Sequence, residues 1–107
     1  MDVFEAVADD VRRDLLRALR AGSLSAGDLA RVRDDVSRPA VSRHLRVLRE
    51  AGLEKAVVAG RRRVYSLRPA ALDPLAAFVA ALTRPAPPLP ARALDGLDLE
   101  VRRTTRE

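Results

Sequence analysis

The sequence predicts one mainly α-helical domain carrying a small β-hairpin, with elements in the order α-α-α-α-β-β-α. Three observations lead there. Apolar residues recur at helical spacing in five successive stretches. That period changes once, between Gly52 and Arg68, around a glycine turn. The chain has 107 residues, 48% of them apolar, which suits a single domain with a modest core. Its three aromatics, Phe4, Tyr65 and Phe78, leave that core to Leu, Val and Ala.

Residues 2–9 form a first short helix, with Val3, Phe4 and Val7 on one side. Asp9 or Asp10 caps a second, over 10–21, in which Val11, Leu15 and Leu19 make one stripe widened by Leu16 and Ala18. Arg12, Arg13, Arg17 and Arg20 lie largely outside the stripe and read as a solvated face. Gly22 stops this helix. Ser25-Ala26-Gly27-Asp28 resembles a capping box with Asp in place of the usual Glu, and opens a third helix over 26–33. Leu29, Ala30 and Val32 are its apolar positions, and Asp34-Asp35-Val36 forms the turn that follows.

The fourth helix, over 37–51, organises the rest. Ser37 is its N-cap and Pro39 falls in the first turn, where a missing N–H costs little. Val41, Leu45 and Leu48 at i, i+4 and i+7 form one apolar stripe, and Val36 is placed to staple onto Val41. Arg43 and Arg46 lie opposite, with Arg38, Ser42 and Arg49 towards one flank. Gly52 closes the helix. Two short helices joined by a brief turn, the second cationic on its outer face, make a helix-turn-helix. Such a helix offers base-edge donors along its side and free amides to an anion at its N-terminus, which suits the major groove of DNA.

Leu53–Val58 and Arg62–Leu67 then read as two strands around Ala59-Gly60-Arg61, with Gly60 able to take positive φ. A basic hairpin directly behind a recognition helix is a wing. Arg61, Arg62 and Arg63 at its tip can reach a minor groove or phosphates. A last helix over 69–83 carries Leu72, Leu75, Phe78, Val79 and Leu82, a face too broad for so small a domain to cover. Pairing with a second copy, together with Val3, Phe4 and Val7, is the simplest cover. Residues 84–90 hold four prolines in the last six positions, a semi-rigid spacer of roughly 20 Å. Leu94, Leu97 and Val101 mark a terminal helical segment over 91–107. The expected division is thus a domain over 1–83, a linker over 84–90 and a C-terminal segment.

Charge is unevenly spread. Residues 1–37 carry six arginines against eight acids, residues 38–68 nine basic groups against two acids, and residues 69–107 five against five. Nearly the whole net charge of +5 therefore resides in the middle third, the footprint of a phosphate-backbone binder. Only one of the twenty basic residues, Lys55, is lysine, so arginine abundance is a compositional bias and position carries the inference. Absence of cysteine excludes disulfides, thiolate metal sites and cysteine nucleophiles. No charge-free apolar run approaches the ~20 residues of a membrane span. The N-terminus is acidic where a signal peptide would be basic, and a cytoplasmic location without membrane contact is expected. His44, the one histidine, flanks the apolar stripe of the fourth helix and reads as a packing or hydrogen-bonding residue. One His, no Cys and scattered acids give no catalytic, cofactor-binding or metal site, so no enzyme is expected.

Taken together these motifs resemble the ArsR family of winged-helix repressors. Val7-Ala8-Asp9 and Arg12–Leu19 resemble that family's opening helices, and Leu24–Ala30 its third helix. Ser37–Leu53 is similar to its recognition helix, and Gly60–Leu67 to its wing. The likeness covers about 1–83. It implies a homodimeric transcriptional repressor on a palindromic operator, dimerising through the first and last helices. Where the family often has Pro-Thr-Arg-Arg, this chain has Asp10-Val11-Arg12-Arg13. The family's metal sensors use cysteines near the recognition helix, or His and acidic ligands on the last helix. Here Asp73 stands at one such position without a His, so no metal site is carried over. The DNA-contacting residues are then expected to be Ser37, Arg38, Pro39, Ser42, Arg43 and Arg46, with Arg61, Arg62 and Arg63. A small-molecule effector at the dimer interface is one source of a signal. The alternative is a winged-helix protein-interaction module without sequence-specific DNA binding, motivated by the proline spacer and the apolar last helix.

Overall fold

A computed structural model describes residues 1–86 and 88–89. The expected C-terminal segment over 91–107 lies outside the described residues, as do positions 87 and 90 of the linker. Five α-helices and a three-stranded antiparallel sheet follow one another: α1 (Val3–Ala6), α2 (Asp10–Leu19), β1 (Leu24–Ser25), α3 (Ala26–Ala30), α4 (Arg38–Glu50), β2 (Glu54–Ala59), β3 (Arg62–Leu67) and α5 (Asp73–Thr83). A 3-10 turn, Pro69–Leu72, leads into α5.

Local chemistry sets the boundaries. Helix α1 is shorter than the 2–9 expected. Asp9 leaves helical geometry to cap α2, accepting from the Arg12 amide at 3.0 Å. The capping box at α3 is complete: Ser25 Oγ accepts from the Asp28 amide and Asp28 Oδ2 from the Ser25 amide, both at 3.2 Å. Helix α3 stops at Ala30, three residues before the expected end, and the segment behind it is bound elsewhere. Arg33 donates from Nε and Nη2 to both oxygens of Asp35, at 2.8 and 2.7 Å. Its Nη1 reaches Asp10 and Asp14 of α2, at 3.2 and 3.1 Å. Its hydrogen bonds to these three carboxylates, Asp35 foremost, hold the guanidinium above even its ordinary basicity. Ser37 caps α4 through the Ala40 amide at 3.3 Å. At the other end Gly52, at φ +79, closes a Schellman motif: Leu53 N–H donates to Leu48 C=O and Gly52 N–H to Arg49 C=O, both at 2.9 Å.

The sheet order is β1-β3-β2. Strands β2 and β3 form the expected hairpin, in register from Glu54 opposite Leu67 to Ala59 opposite Arg62. Its two-residue loop is Gly60-Arg61, with positive φ at Gly60 alone, the pattern of a II′ turn. Strand β1 is an addition to the expected hairpin. Leu24 and Ser25 pair with Tyr65 and Val64, so the wing is anchored to the start of α3.

The core is the set of stripes read from the sequence. Leu15, Leu19, Leu29, Val41, Leu45, Leu48, Leu53 and Tyr65 are all buried, with Ala6 and Val11 beside them. Val36 packs half-buried against this cluster. Val3, expected at a dimer face, is only 8% exposed and packs in the protomer's own core. The other dimer-face candidates are accessible to different degrees. Val7, Leu72 and Leu75 are half-buried. Phe4 is 42% exposed, Phe78 52%, Val79 51% and Leu82 70%, and no residue of α5 is buried.

Candidate nucleic-acid interface

Helix α4 presents two faces because successive residues turn by about 100°. Val41, Leu45 and Leu48 point into the core. Ser37, Arg38, Pro39, Ser42, Arg43 and Arg46 are all exposed. Arg61, Arg62 and Arg63 are exposed at the hairpin tip. The start of α3 lies between these two groups. On one side, Ala26 and Gly27 border a groove of about 310 Å³ shared with Arg61, Arg62 and Arg63. On the other, they border a crevice of about 90 Å³ rimmed by Arg38 and Ser42 and floored by Val41 and Leu45. Helix α4 and the β2–β3 hairpin thus both border the start of α3.

The arginines sort into two classes. Arg12, Arg13, Arg17, Arg31 and Arg33 are bound within the protein, to carboxylates, backbone carbonyls or His44. Among the described residues, Arg38, Arg43, Arg46, Arg61, Arg62 and Arg63 make no ion pair or side-chain hydrogen bond, and neither do Arg20, Arg49, Arg68 and Arg84. Cations left unpaired while others are neutralised produce a positive field on the face that carries them.

Three features escaped the sequence reading, those of Arg31, Arg12 and Glu54, while His44 takes one of the two roles read for it. Arg31 lines the wing-side groove, although it lies in the acidic first third of the chain. It pairs at 3.4 Å with Asp28, the only acid among the described residues that line that groove. The Asp28 carboxyl is held below its ordinary range, first by the Ser25 hydroxyl, with Arg62 and Arg31 adding to the effect. Arg12 is a structural clamp and not the solvated residue expected, since it bonds to α1 carbonyls and to His44. His44 is a hydrogen-bonding residue: its Nδ1 lies 3.2 Å from Arg12 Nη1 and 3.8 Å from Asp9 Oδ2. Burial works to raise the Asp9 carboxyl, but the Arg12 amide and the charge of Arg12 bring it below its ordinary range. Glu54, at the base of the wing, is 1% exposed and neither carboxylate oxygen has a partner among the described residues. Burial pushes its carboxyl up to about 7, against the pull of Arg49. Among the described residues no three His, Asp or Glu side chains are grouped to hold a metal ion, and no helix is long and apolar enough to cross a membrane.

Comparison with known proteins agrees with this geometry. The family described as a helix-turn-helix domain matches residues 7–57. The HTH-type transcriptional regulator Rv2034 of Mycobacterium tuberculosis is 49% identical over 72 residues, spanning 67% of this chain and 66% of that protein. The transcriptional repressor SdpR of Bacillus subtilis is 35% identical over 72 residues, spanning 67% of this chain and 79% of that one. A crystal structure described as a possible transcriptional regulator for arsenical resistance superposes with a TM-score of 0.71 at 35% identity, covering 94% of this chain and 96% of the other. An ArsR-like transcriptional regulator from Rhodococcus sp. RHA1 superposes with a TM-score of 0.67 at 27% identity, covering 97% and 87%. The chain belongs to the ArsR family of winged helix-turn-helix transcriptional regulators, DNA-binding proteins and not enzymes.

Proposed function

We propose that this regulator is a cytoplasmic homodimeric repressor that occludes a promoter by binding a palindromic operator. The observation that carries the reading is the set of exposed, unpaired arginines on α4 and the wing, of which Arg38 and Arg61, Arg62 and Arg63 border the α3 start from either side. Phosphate contacts from Arg61, Arg62 and Arg63, and from the α4 N-terminus at Ser37, Arg38 and Pro39, set position. Arg43, Ser42 and Arg46, with Arg38, reach base edges, where a guanidinium reads guanine through two hydrogen bonds. The exposed apolar residues Phe4, Phe78, Val79 and Leu82 support a two-fold pairing, which would set the two α4 helices about one DNA turn apart, ~34 Å. The name of the Bacillus subtilis relative, a transcriptional repressor, supports repression as the outcome.

Genomic footprinting with the purified protein tests the reading. Protected sites with an inverted repeat, bound by a species of dimer mass, are the expected result. A second reading, a protein-interaction module on the same scaffold, draws on the uncovered α5 face. A monomer by light scattering that enriches no genomic fragment would select that second reading and reject the first.

A further inference from the structure

Arg12 joins three parts of the molecule through one planar group. Its Nε donates to Ala6 C=O at 2.7 Å and its Nη2 to Glu5 C=O at 3.2 Å, at the open C-terminal end of α1. Its Nη1 lies 3.2 Å from His44 Nδ1 on α4. A guanidinium has no acceptor, so His44 Nδ1 accepts and the imidazole carries its proton on Nε2. Asp9 fixes the base of the clamp by accepting from the Arg12 amide. His44 follows Arg43 directly on the helix that bears the base-reading candidates.

Helix α1 also meets α5. Phe4 packs edge to face on Phe78, with ring centroids 5.7 Å apart at 84°. Helix α1 has only four residues, so it has little stiffness of its own and its position is set by its contacts. The apolar contacts, Val3 and Ala6 on the core, resist separation but tolerate sliding. Directional bonds from a rigid fork do not tolerate it.

We propose that Arg12 and His44 are positioning residues that fix recognition helix α4 relative to the α1–α5 face, and thereby set the half-site spacing the dimer accepts. This inference rests on the dimeric, operator-binding reading above. A two-fold axis doubles any displacement: moving each α4 by about 1.7 Å along the duplex changes their separation by about one base-pair step of ~3.4 Å. A small loss of order at this clamp is therefore read out as tolerance of a wrong spacing. Phosphate electrostatics, which depend on charge and not on register, stay the same.

The test uses the full chain and the operator found by footprinting. Operator duplexes with the natural centre, and with one base pair inserted or removed, are titrated against wild type, H44Q, H44L and R12K. Gln keeps an acceptor for Arg12, Leu has none, and Lys cannot span α1 and α4 at once. For wild type and H44Q, a tenfold or greater preference for the natural spacing is expected. For H44L and R12K that preference should fall at least fivefold, with dimer mass, non-specific DNA affinity and salt slope unchanged. Wild-type preference surviving in H44L overturns this inference alone. Equal losses by H44L on every duplex, non-specific DNA included, also overturn it, because they report a destabilised fold. Wild type without any spacing preference overturns both this inference and the dimeric reading.

Discussion

Glu54 stands opposite Leu67 where the wing hairpin leaves the core, and its carboxylate is buried with no hydrogen-bond donor among the described residues. Burial is the cause of its raised pKa, about 7, because the charged form is the one penalised. The sign follows directly. Below the unfolded-state value of about 4.5 the group is protonated in both states and imposes no penalty. As pH rises towards 7 the unfolded chain ionises and the folded one resists, so stability is lost across that window and stays lost above it. At 1.36 kcal/mol per unit, discounted for residual screening near the surface, the loss is roughly 2 kcal/mol. Glu54→Leu should therefore raise urea stability at pH 8 by about that amount, and the gain should vanish near pH 4.5. A gain of the same size at both pH values would show that packing, not ionisation, is responsible.

The two arginine groups should fail differently. Arg43 projects from the middle of α4, whereas Arg62 sits on the wing. Arg43→Ala should relax base choice at one operator position by about 1–3 kcal/mol and leave non-specific affinity nearly intact. Arg62→Ala should weaken binding to every sequence and reduce the slope of log K against log salt by about 1. Fluorescence anisotropy over a salt series on operator and scrambled duplexes separates the two. Equal effects of both substitutions on both duplexes would refute the division into base-reading and phosphate-holding residues.

Much of this architecture was legible because it is periodic or capped. Val11, Leu15 and Leu19, and Val41, Leu45 and Leu48, fall on single helical stripes, and all are buried. Ser25, Ser37 and Gly52 each carry a terminus signal that the backbone obeys. What was not legible lacks a period. Strand β1 has two residues, too few to alternate, and Ser25 also carries the cap signal that hides it. Arg12 lies off the apolar stripe of α2, so spacing assigns it to solvent. Its bond to His44 joins residues 32 apart in sequence. Glu54 breaks the rule that charges stay outside, and nothing in its neighbours' types announces that.

Ser25 holds two structures with one residue. Its backbone pairs with Val64 in the sheet while its hydroxyl accepts from the Asp28 amide at 3.2 Å. Ser25→Ala keeps the first contact and removes the second, at a cost of about 1 kcal/mol. It also takes the hydroxyl away from Asp28, the chief reason that carboxyl is depressed. Chemical denaturation should show the loss, and titration of Asp28 by NMR should show its pKa moving up towards the ordinary carboxylate range. An unmoved Asp28 would mean that the Ser25 amide, which alanine keeps, together with Arg62 and Arg31, holds it down without the hydroxyl.

Val3 and Leu82 were both expected at a dimer face, and their surroundings now separate them. Val3 is buried within the protomer, whereas Leu82 is 70% exposed. Val3→Ala should lower the unfolding free energy by about 1–2 kcal/mol, through lost burial and a residual cavity, whatever the state of assembly. Leu82→Asp removes nothing the single protomer needs, so its stability at high dilution should stay within about 0.5 kcal/mol of wild type. In a self-associated molecule the same aspartate would be buried near its symmetric copy, and two such charges repel without compensation. Light scattering should then show Leu82→Asp at monomer mass at concentrations where wild type and Val3→Ala are dimers. A dimer that tolerates Leu82→Asp would place the two-fold contact somewhere other than the outer face of α5.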